Sequence, residues 1–142
     1  MQIIPNLLRY RGSCVVLDPK GELYAKTSEW RRGIGQDVYR IAPFEADTNA
    51  FNPLDMVQSP ADARALADLM IPEDPNAQEY FRKDAIAFLN GAIQYVKKRS
   101  SQGPTTMAKV RELTSLPTDV FLKVAGEMSR SEIPAIANAG NI

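Results

Sequence analysis

Ser13-Cys14-Val15-Val16-Leu17-Asp18-Pro19-Lys20-Gly21-Glu22 decides how the first third of this chain is read. Ser13 to Leu17 reads as a short buried strand, and the charged turn that follows opens a helix at Glu22. Open α/β sheets collect ligand chemistry at the carboxyl ends of such strands. Asp18, Lys20 and Glu22 are therefore the first candidate site. A solvated turn produces the same residues without a ligand, because the backbone dipole favours a carboxylate such as Glu22 in the first turn of a helix.

Outward from that turn, Ile3 to Arg9 reads as the end of a helix, Glu22 to about Arg32 as an amphipathic helix and Val38 to Ile41 as a second strand. Gly12, and Gly33 with Gly35, follow helical patterns at positions where a left-handed terminating residue is wanted. Two strands joined by a helix predict a parallel pair with a right-handed crossover. The expected fold of residues 1–44 is therefore α/β, with Cys14 buried in the first strand and Trp30 sealing the helix against the sheet. Two strands do not make a stable doubly wound sheet, so the remainder of that sheet is expected in a longer protein.

After Pro43 the strand signals stop. Residues 45–58 read as a connection and 59–142 as an all-α domain. Ser59-Pro60-Ala61-Asp62 is a helix start with serine as cap, proline at the first helical position and an acid in the first turn. That helix sets Leu66, Leu69 and Met70 on one side. Ala77 to Arg99 carries Phe81, Ala85, Phe88, Leu89, Ala92, Ile93 and Val96 on one stripe, the pattern of a core-facing helix of about six turns. Gly91 costs such a helix roughly 1 kcal/mol relative to alanine, which points to a close helix approach there. Thr105 or Thr106 caps a further helix with Val110 and Leu113. Thr118 to Met128 forms another, and a last short segment begins near Ser129 or Ser131. Ala139 to Ile142 closes no pattern, so the helical domain is expected to continue beyond this chain.

Composition narrows the chemistry. The 142 residues are 44% hydrophobic, enough for one ordinary domain, and seventeen basic residues balance seventeen acidic ones. The charge is segregated all the same. Glu45 to Glu79 holds eight acids against Arg64 alone, and Tyr80 to Arg111 holds seven bases against Asp84 alone. Asp62, Asp68, Glu73, Asp74 and Glu79 make a candidate acidic docking surface for basic protein segments. Lys97, Lys98, Arg99, Lys109 and Arg111 make a candidate substrate or DNA contact, because clustered cations neutralise phosphates without regard to sequence. Cations at helix ends complement the dipole equally well, and no aromatic residues interleave with these to stack on bases. One cysteine and no histidine exclude an intramolecular disulfide and a Cys-rich or His-based metal centre. No apolar run is long enough to span a bilayer.

Read in order, Ile3-Ile4-Pro5-Asn6-Leu7-Leu8, Asp18 to Glu22, Val38-Tyr39-Arg40-Ile41, Pro43-Phe44 and Phe51-Asn52-Pro53-Leu54-Asp55 resemble the nucleotide-binding domain of the type IV secretion coupling proteins. These are the TraG/TraD-like membrane ATPases of conjugation and effector export, related to FtsK-like and HerA-like DNA pumps. The resemblance is close from Ile3 to Asp55 and looser from Asp84 to Tyr95. It implies a strand-helix-strand piece of a P-loop, RecA-like domain that begins just after the phosphate-binding loop, followed by an all-α substrate-recruitment domain. It further implies that Asp18, Lys20 and Glu22 lie at the nucleotide edge or a subunit boundary, with Asp18 fixing the turn and no residue of this chain acting as catalytic base. ATP and magnesium are expected only for the intact protein, a homo-hexamer at the cytoplasmic face of the bacterial inner membrane whose anchor lies outside this chain. The implied partners are a relaxase-DNA complex or secreted effector proteins, together with other secretion components. A stand-alone helical interaction protein and a DNA-binding module are the alternatives.

The residues themselves decide the enzyme question. A G-x-x-x-x-G-K-[ST] loop supplies the donors and lysine for phosphates and a hydroxyl for magnesium, and this sequence holds no such run. Gly33-Ile34-Gly35 follows a helix, whereas the dinucleotide pattern follows a strand. No apolar strand ending in paired acids lies downstream. Incubated with ATP and magnesium, the chain by itself is expected to release no phosphate above a blank. Release that persists when Lys20 is changed would overturn this.

Overall fold

The computed structural model describes residues 3–73 and 79–141. Among them are seven α-helices and no strand. They are α1 (Ile3–Arg9), α2 (Glu22–Gly33), α3 (Pro60–Met70), α4 (Glu79–Lys98), α5 (Met107–Thr114), α6 (Thr118–Met128) and α7 (Pro134–Gly140). The chain divides into two compact units, Met1–Phe51 and Asn52–Ile142.

The α/β expectation for residues 1–44 is corrected. Neither Ser13–Leu17 nor Val38–Ile41 forms a strand, and Val15 and Leu17 are 104% and 89% exposed. A ladder requires a second segment about 4.8 Å away whose N–H and C=O groups face the first. Arg40 is paired locally instead: Asn49 N–H donates to its carbonyl at 2.7 Å, and its own N–H donates to Asn49 Oδ1 at 2.7 Å. An apolar run marks a buried strand only where something covers both of its faces. Without that cover Cys14 is exposed as a free thiol and Trp30 is 37% exposed, with no sheet to seal.

The first unit is a pair of packed helices, α1 and α2. Pro5 sits in the first turn of α1, where a missing N–H breaks no intrahelical bond. Its buried side chains are few and mixed: Leu7 and Leu23 with Thr27, Ser28 and Arg31. Polar interactions therefore carry much of its specificity.

The second unit is organised by α4, which packs against α3, α5 and α7, while α6 packs on α7. Its entry is a 3₁₀ turn at Pro53–Met56 that buries Leu54 and Val57. Asn52 fixes that turn by donating to Thr105 O and to Asp55 Oδ1, each at 2.8 Å. Helix α3 starts as its sequence requires, with a reciprocal capping box. Asp62 N–H donates to Ser59 Oγ at 3.2 Å, and Ser59 N–H donates back to Asp62 Oδ2 at 2.8 Å. Its buried face is small, consisting of Ala63 and Ala67 flanked by Leu66, whereas Leu69 is 83% exposed and Met70 also reaches solvent. On α4, Ile86, Ala92, Ile93 and Val96 form the core with Val110 of α5, and Phe81 of the expected stripe is exposed. Small residues win on α3 because the neighbouring helix is close enough to leave no room for longer ones.

Helix α7 shows the same constraint in its sharpest form. A Cβ at Gly91 would lie 2.3 Å from Ala139 Cβ and 2.5 Å from Ala135 O. One at Gly140 would lie 2.5 Å from Ser129 N and 2.6 Å from Ala125 O. The two glycines thus let α7 settle against α4 on one side and α6 on the other, burying Met128, Ile136 and Ala139. The close approach expected at Gly91 is present, and Ala139-Gly140 belongs to the packing of the helical unit.

Gly91→Ala is expected to destabilise the chain by about 1–2 kcal/mol in urea unfolding. The overpacking exceeds the helix-propensity gain of roughly 1 kcal/mol that alanine brings elsewhere. The same change at Gly33, whose Cβ would meet nothing within 4 Å, is expected to be neutral or stabilising.

Candidate functional site

Asp18-Pro19-Lys20-Gly21 forms a turn closed by Gly21 N–H donating to Asp18 O at 3.2 Å. Gly21 has φ 70°, a left-handed conformation that side chains resist, and it delivers the chain into α2. The Asp18 carboxylate accepts the N–H of Tyr24 at 2.9 Å and so satisfies one of the free donors at the start of α2. Lys20 and Glu22 are exposed and form no ion pair among the described residues.

Beside this turn lies a cluster that the sequence reading missed. The Tyr24 ring carries the Arg32 guanidinium at 5.6 Å and that of Arg40 at 5.3 Å, and Arg32 Nη2 donates to Tyr24 Oη at 2.7 Å. Arg40 also bonds the Glu45 carboxylate and donates to Asp47 O at 2.9 Å. The hydrogen bond that Arg40 donates to the Glu45 carboxylate is the main reason its pKa lies above the usual arginine value. Arg40 Nη2 would stand 3.7 Å from a Cβ at Gly21. The spacing of Arg32 and Arg40 carries no motif, and only the fold brings them to one ring.

Arg31 was also invisible in the sequence. It is 6% exposed and reaches back across 19 to 24 residues to close the end of α1. Its Nη1 donates to Leu7 O at 2.6 Å and Tyr10 O at 3.1 Å, and its Nη2 to Gly12 O at 2.8 Å. These carbonyls lie at and just beyond a helix C-terminus, where partners are lacking and a cation is favoured. The fork of guanidinium donors serves three acceptors that a lysine's single ammonium cannot match in geometry.

In the second unit the candidate charges are largely occupied. Asp62 caps α3. The N–H groups of Gln58 and Ser59 and the Ser59 hydroxyl, Gln58 first, hold its carboxyl below the ordinary value. Asp68 pairs with Arg82 at 3.0 Å. Glu79 pairs with Lys83 at 2.9 Å, and that hydrogen bond lowers its pKa. Glu73 is exposed, and Asp74 lies outside the described residues.

Of the basic series, Lys97 donates to Leu54 O at 3.1 Å and Lys109 pairs with Glu112 at 2.8 Å. Arg99 bridges α4 to α6 through Glu127 at 3.1 Å and the Tyr95 hydroxyl. Lys98 and Arg111 are exposed. Lys98 and Arg99 share a cleft of about 470 Å³ with Arg130, which lies beyond the series singled out by sequence. No group of three or more acidic, Cys or His side chains suited to a metal occurs among the described residues. No helix among them is long and apolar enough to cross a membrane.

Comparison with known proteins covers nearly the whole chain. The family described as Type IV secretory system Conjugative DNA transfer matches residues 2–139. The chain is 28% identical over 153 residues to Protein VirD4 of Rhizobium radiobacter, covering 98% of this chain and 22% of that protein. It is equally similar to Protein VirD4 of Agrobacterium fabrum, and it is 28% identical to a Conjugal transfer protein TraG of Escherichia coli over 96% of this chain and 24% of the relative. It thus spans less than a quarter of these relatives' length. No solved structure matches it at a significant level.

Arg31→Met leaves three carbonyls without their donor and is expected to loosen the first unit by about 2 kcal/mol. In the whole chain this should read as a roughly 30-fold rise in amide hydrogen exchange within α1 and α2. Unchanged protection there would show that the three bonds hold nothing together.

Proposed function

The chain belongs to the type IV secretory system conjugative DNA transfer family, and on that premise we propose that it is a segment of a longer coupling protein. Its helical unit, residues 52–142, receives the transferred substrate, either a relaxase-DNA complex or an effector protein. In the intact protein, a ring of subunits at the cytoplasmic face of the inner membrane turns over ATP with magnesium and drives the substrate toward the secretion channel. Other components of the secretion system are its further partners.

The observation that carries this reading is the family match over residues 2–139, which runs through both compact units. The second unit has a hydrophobic core of its own, as a recruitment module needs if it is to present a surface independently. The residues present do not fit a nucleotide-magnesium site by themselves. The chain holds no phosphate loop, and the Asp18 carboxylate is directed at the Tyr24 N–H. Nucleotide chemistry is therefore assigned to regions outside this chain. Lys20 and Glu22, exposed on the turn, are the residues through which this unit borders that site or a neighbouring subunit.

Removing residues 52–142 from the full-length protein tests the reading. Transfer of DNA or effector is expected to fall to the level of a strain without the protein, while ATP hydrolysis persists. Normal transfer by the deleted form would reject the recruitment role.

A further inference from the structure

We propose that the cleft where α4 and α6 end binds a phosphodiester of a nucleic-acid backbone. Lys98 and Arg130 act as its cations, and the Ser101 and Ser131 hydroxyls as neutral donors. The assignment of the polyanion as nucleic acid rests on the transfer function proposed above. The geometry of the cleft does not.

The cleft measures about 470 Å³ and is lined from α4 and the turn after it by Tyr95, Lys98, Arg99 and Ser101. The end of α6 contributes Glu127, Arg130 and Ser131. Arg99 is engaged with Glu127 at 3.1 Å, and its guanidinium lies 5.2 Å over the Tyr95 ring. Lys98 and Arg130 are exposed and form no ion pair with a carboxylate among the described residues. Ser131 Oγ accepts the Ile133 N–H at 3.2 Å, which leaves its own proton available to an incoming oxygen.

Charge accounting selects an anion. Each helix C-terminus carries about half a negative charge, so the ends of α4 and α6 together offset about one cation, and Glu127 offsets another. About one positive charge is left over, the complement of one phosphodiester. Arg99 lies over one face of the Tyr95 ring, and the ring packs against the cluster of Met128, Ile136 and Ala139, so the cleft offers little aromatic surface for base stacking. The contact is therefore with the backbone and indifferent to sequence.

The test titrates the chain Met1–Ile142 with a fluorescent oligothymidylate across a range of salt concentrations. The wild-type chain is expected to bind with affinity that falls as salt rises. The pair Lys98→Gln with Arg130→Gln should weaken binding about tenfold at low salt and reduce the slope of log affinity against log salt by roughly 0.7 for each phosphate no longer neutralised. The charge-conserving pair Lys98→Arg with Arg130→Lys should bind as wild type does, and equal thermal midpoints would show that all variants fold. Lys26→Gln with Arg64→Gln makes the same change in net charge elsewhere and should leave the slope unaltered.

Absence of binding by the wild-type chain, an unchanged slope in the cleft pair, or equal weakening by the control pair would each overturn the proposal. Weakening confined to anionic lipid vesicles or to polyglutamate would also overturn it, by giving the cleft to a headgroup or an acidic protein. A negative oligonucleotide result alongside transfer that is lost on deleting residues 52–142 removes the cleft alone. Transfer that survives the deletion removes the recruitment reading.

Discussion

Two of the helices, α1 and α7, have only seven residues each, and helices shorter than about 12–15 residues are marginal in water without tertiary support. Each is held by a different physical means. For α1 it is the buried guanidinium of Arg31, which supplies donors to three carbonyls at and beyond the helix end. For α7 it is close packing, with Gly91 and Gly140 allowing it to approach α4 and α6 where any side chain would collide. The first unit depends on a polar clamp because it buries little apolar surface. The second depends on shape because its helices carry alanine and glycine where they meet.

The same need to satisfy helix ends governs the charges. Blocks of acid and base look like binding surfaces in a linear reading. In the folded chain Asp62 is a cap, Asp68 and Glu79 are paired, and Lys97 and Lys109 have partners of their own. Asp18 accepts a first-turn N–H of α2 in the way that Ser59 Oγ accepts one of α3. Where these local demands are met and charge is still left over, as with Lys98 and Arg130, the surface acquires the capacity to recognise something else. Exposed pairs such as Glu79 with Lys83 contribute little to stability in any case, since water screens them.

Local signals were dependable where the cause is local. Ser59-Pro60-Ala61-Asp62 was legible because a capping box is completed within four residues. The helical stripe around Phe88, Ala92, Ile93 and Val96 was legible because a 3.6-residue period already states which side faces inward. The reading of Ser13–Leu17 and Val38–Ile41 as strands went wrong because an apolar run reports a tendency to be covered, and the cover must come from another segment. Phe81, on the stripe expected to face the core, is exposed for a related reason, and Leu69 and Met70 are exposed beyond Leu66 in the same way: periodicity names a face but does not say how far along the helix the neighbouring element extends.

Taken alone, the sequence determined the helices at Pro60–Met70, Glu79–Lys98, Met107–Thr114 and Thr118–Met128, the start of α2 at the Asp18 turn, the close approach at Gly91 and the resemblance to coupling proteins that the family match bears out. Each of these is written in neighbouring residues or in an ordered series of short motifs. Only the tertiary structure decided that no strands form among the described residues, that Arg31 closes α1, that Arg32 and Arg40 meet on Tyr24, and that Arg130 joins Lys98 in one cleft. Those outcomes depend on which distant groups come within a few ångströms of one another. Spacing along the chain does not encode that distance.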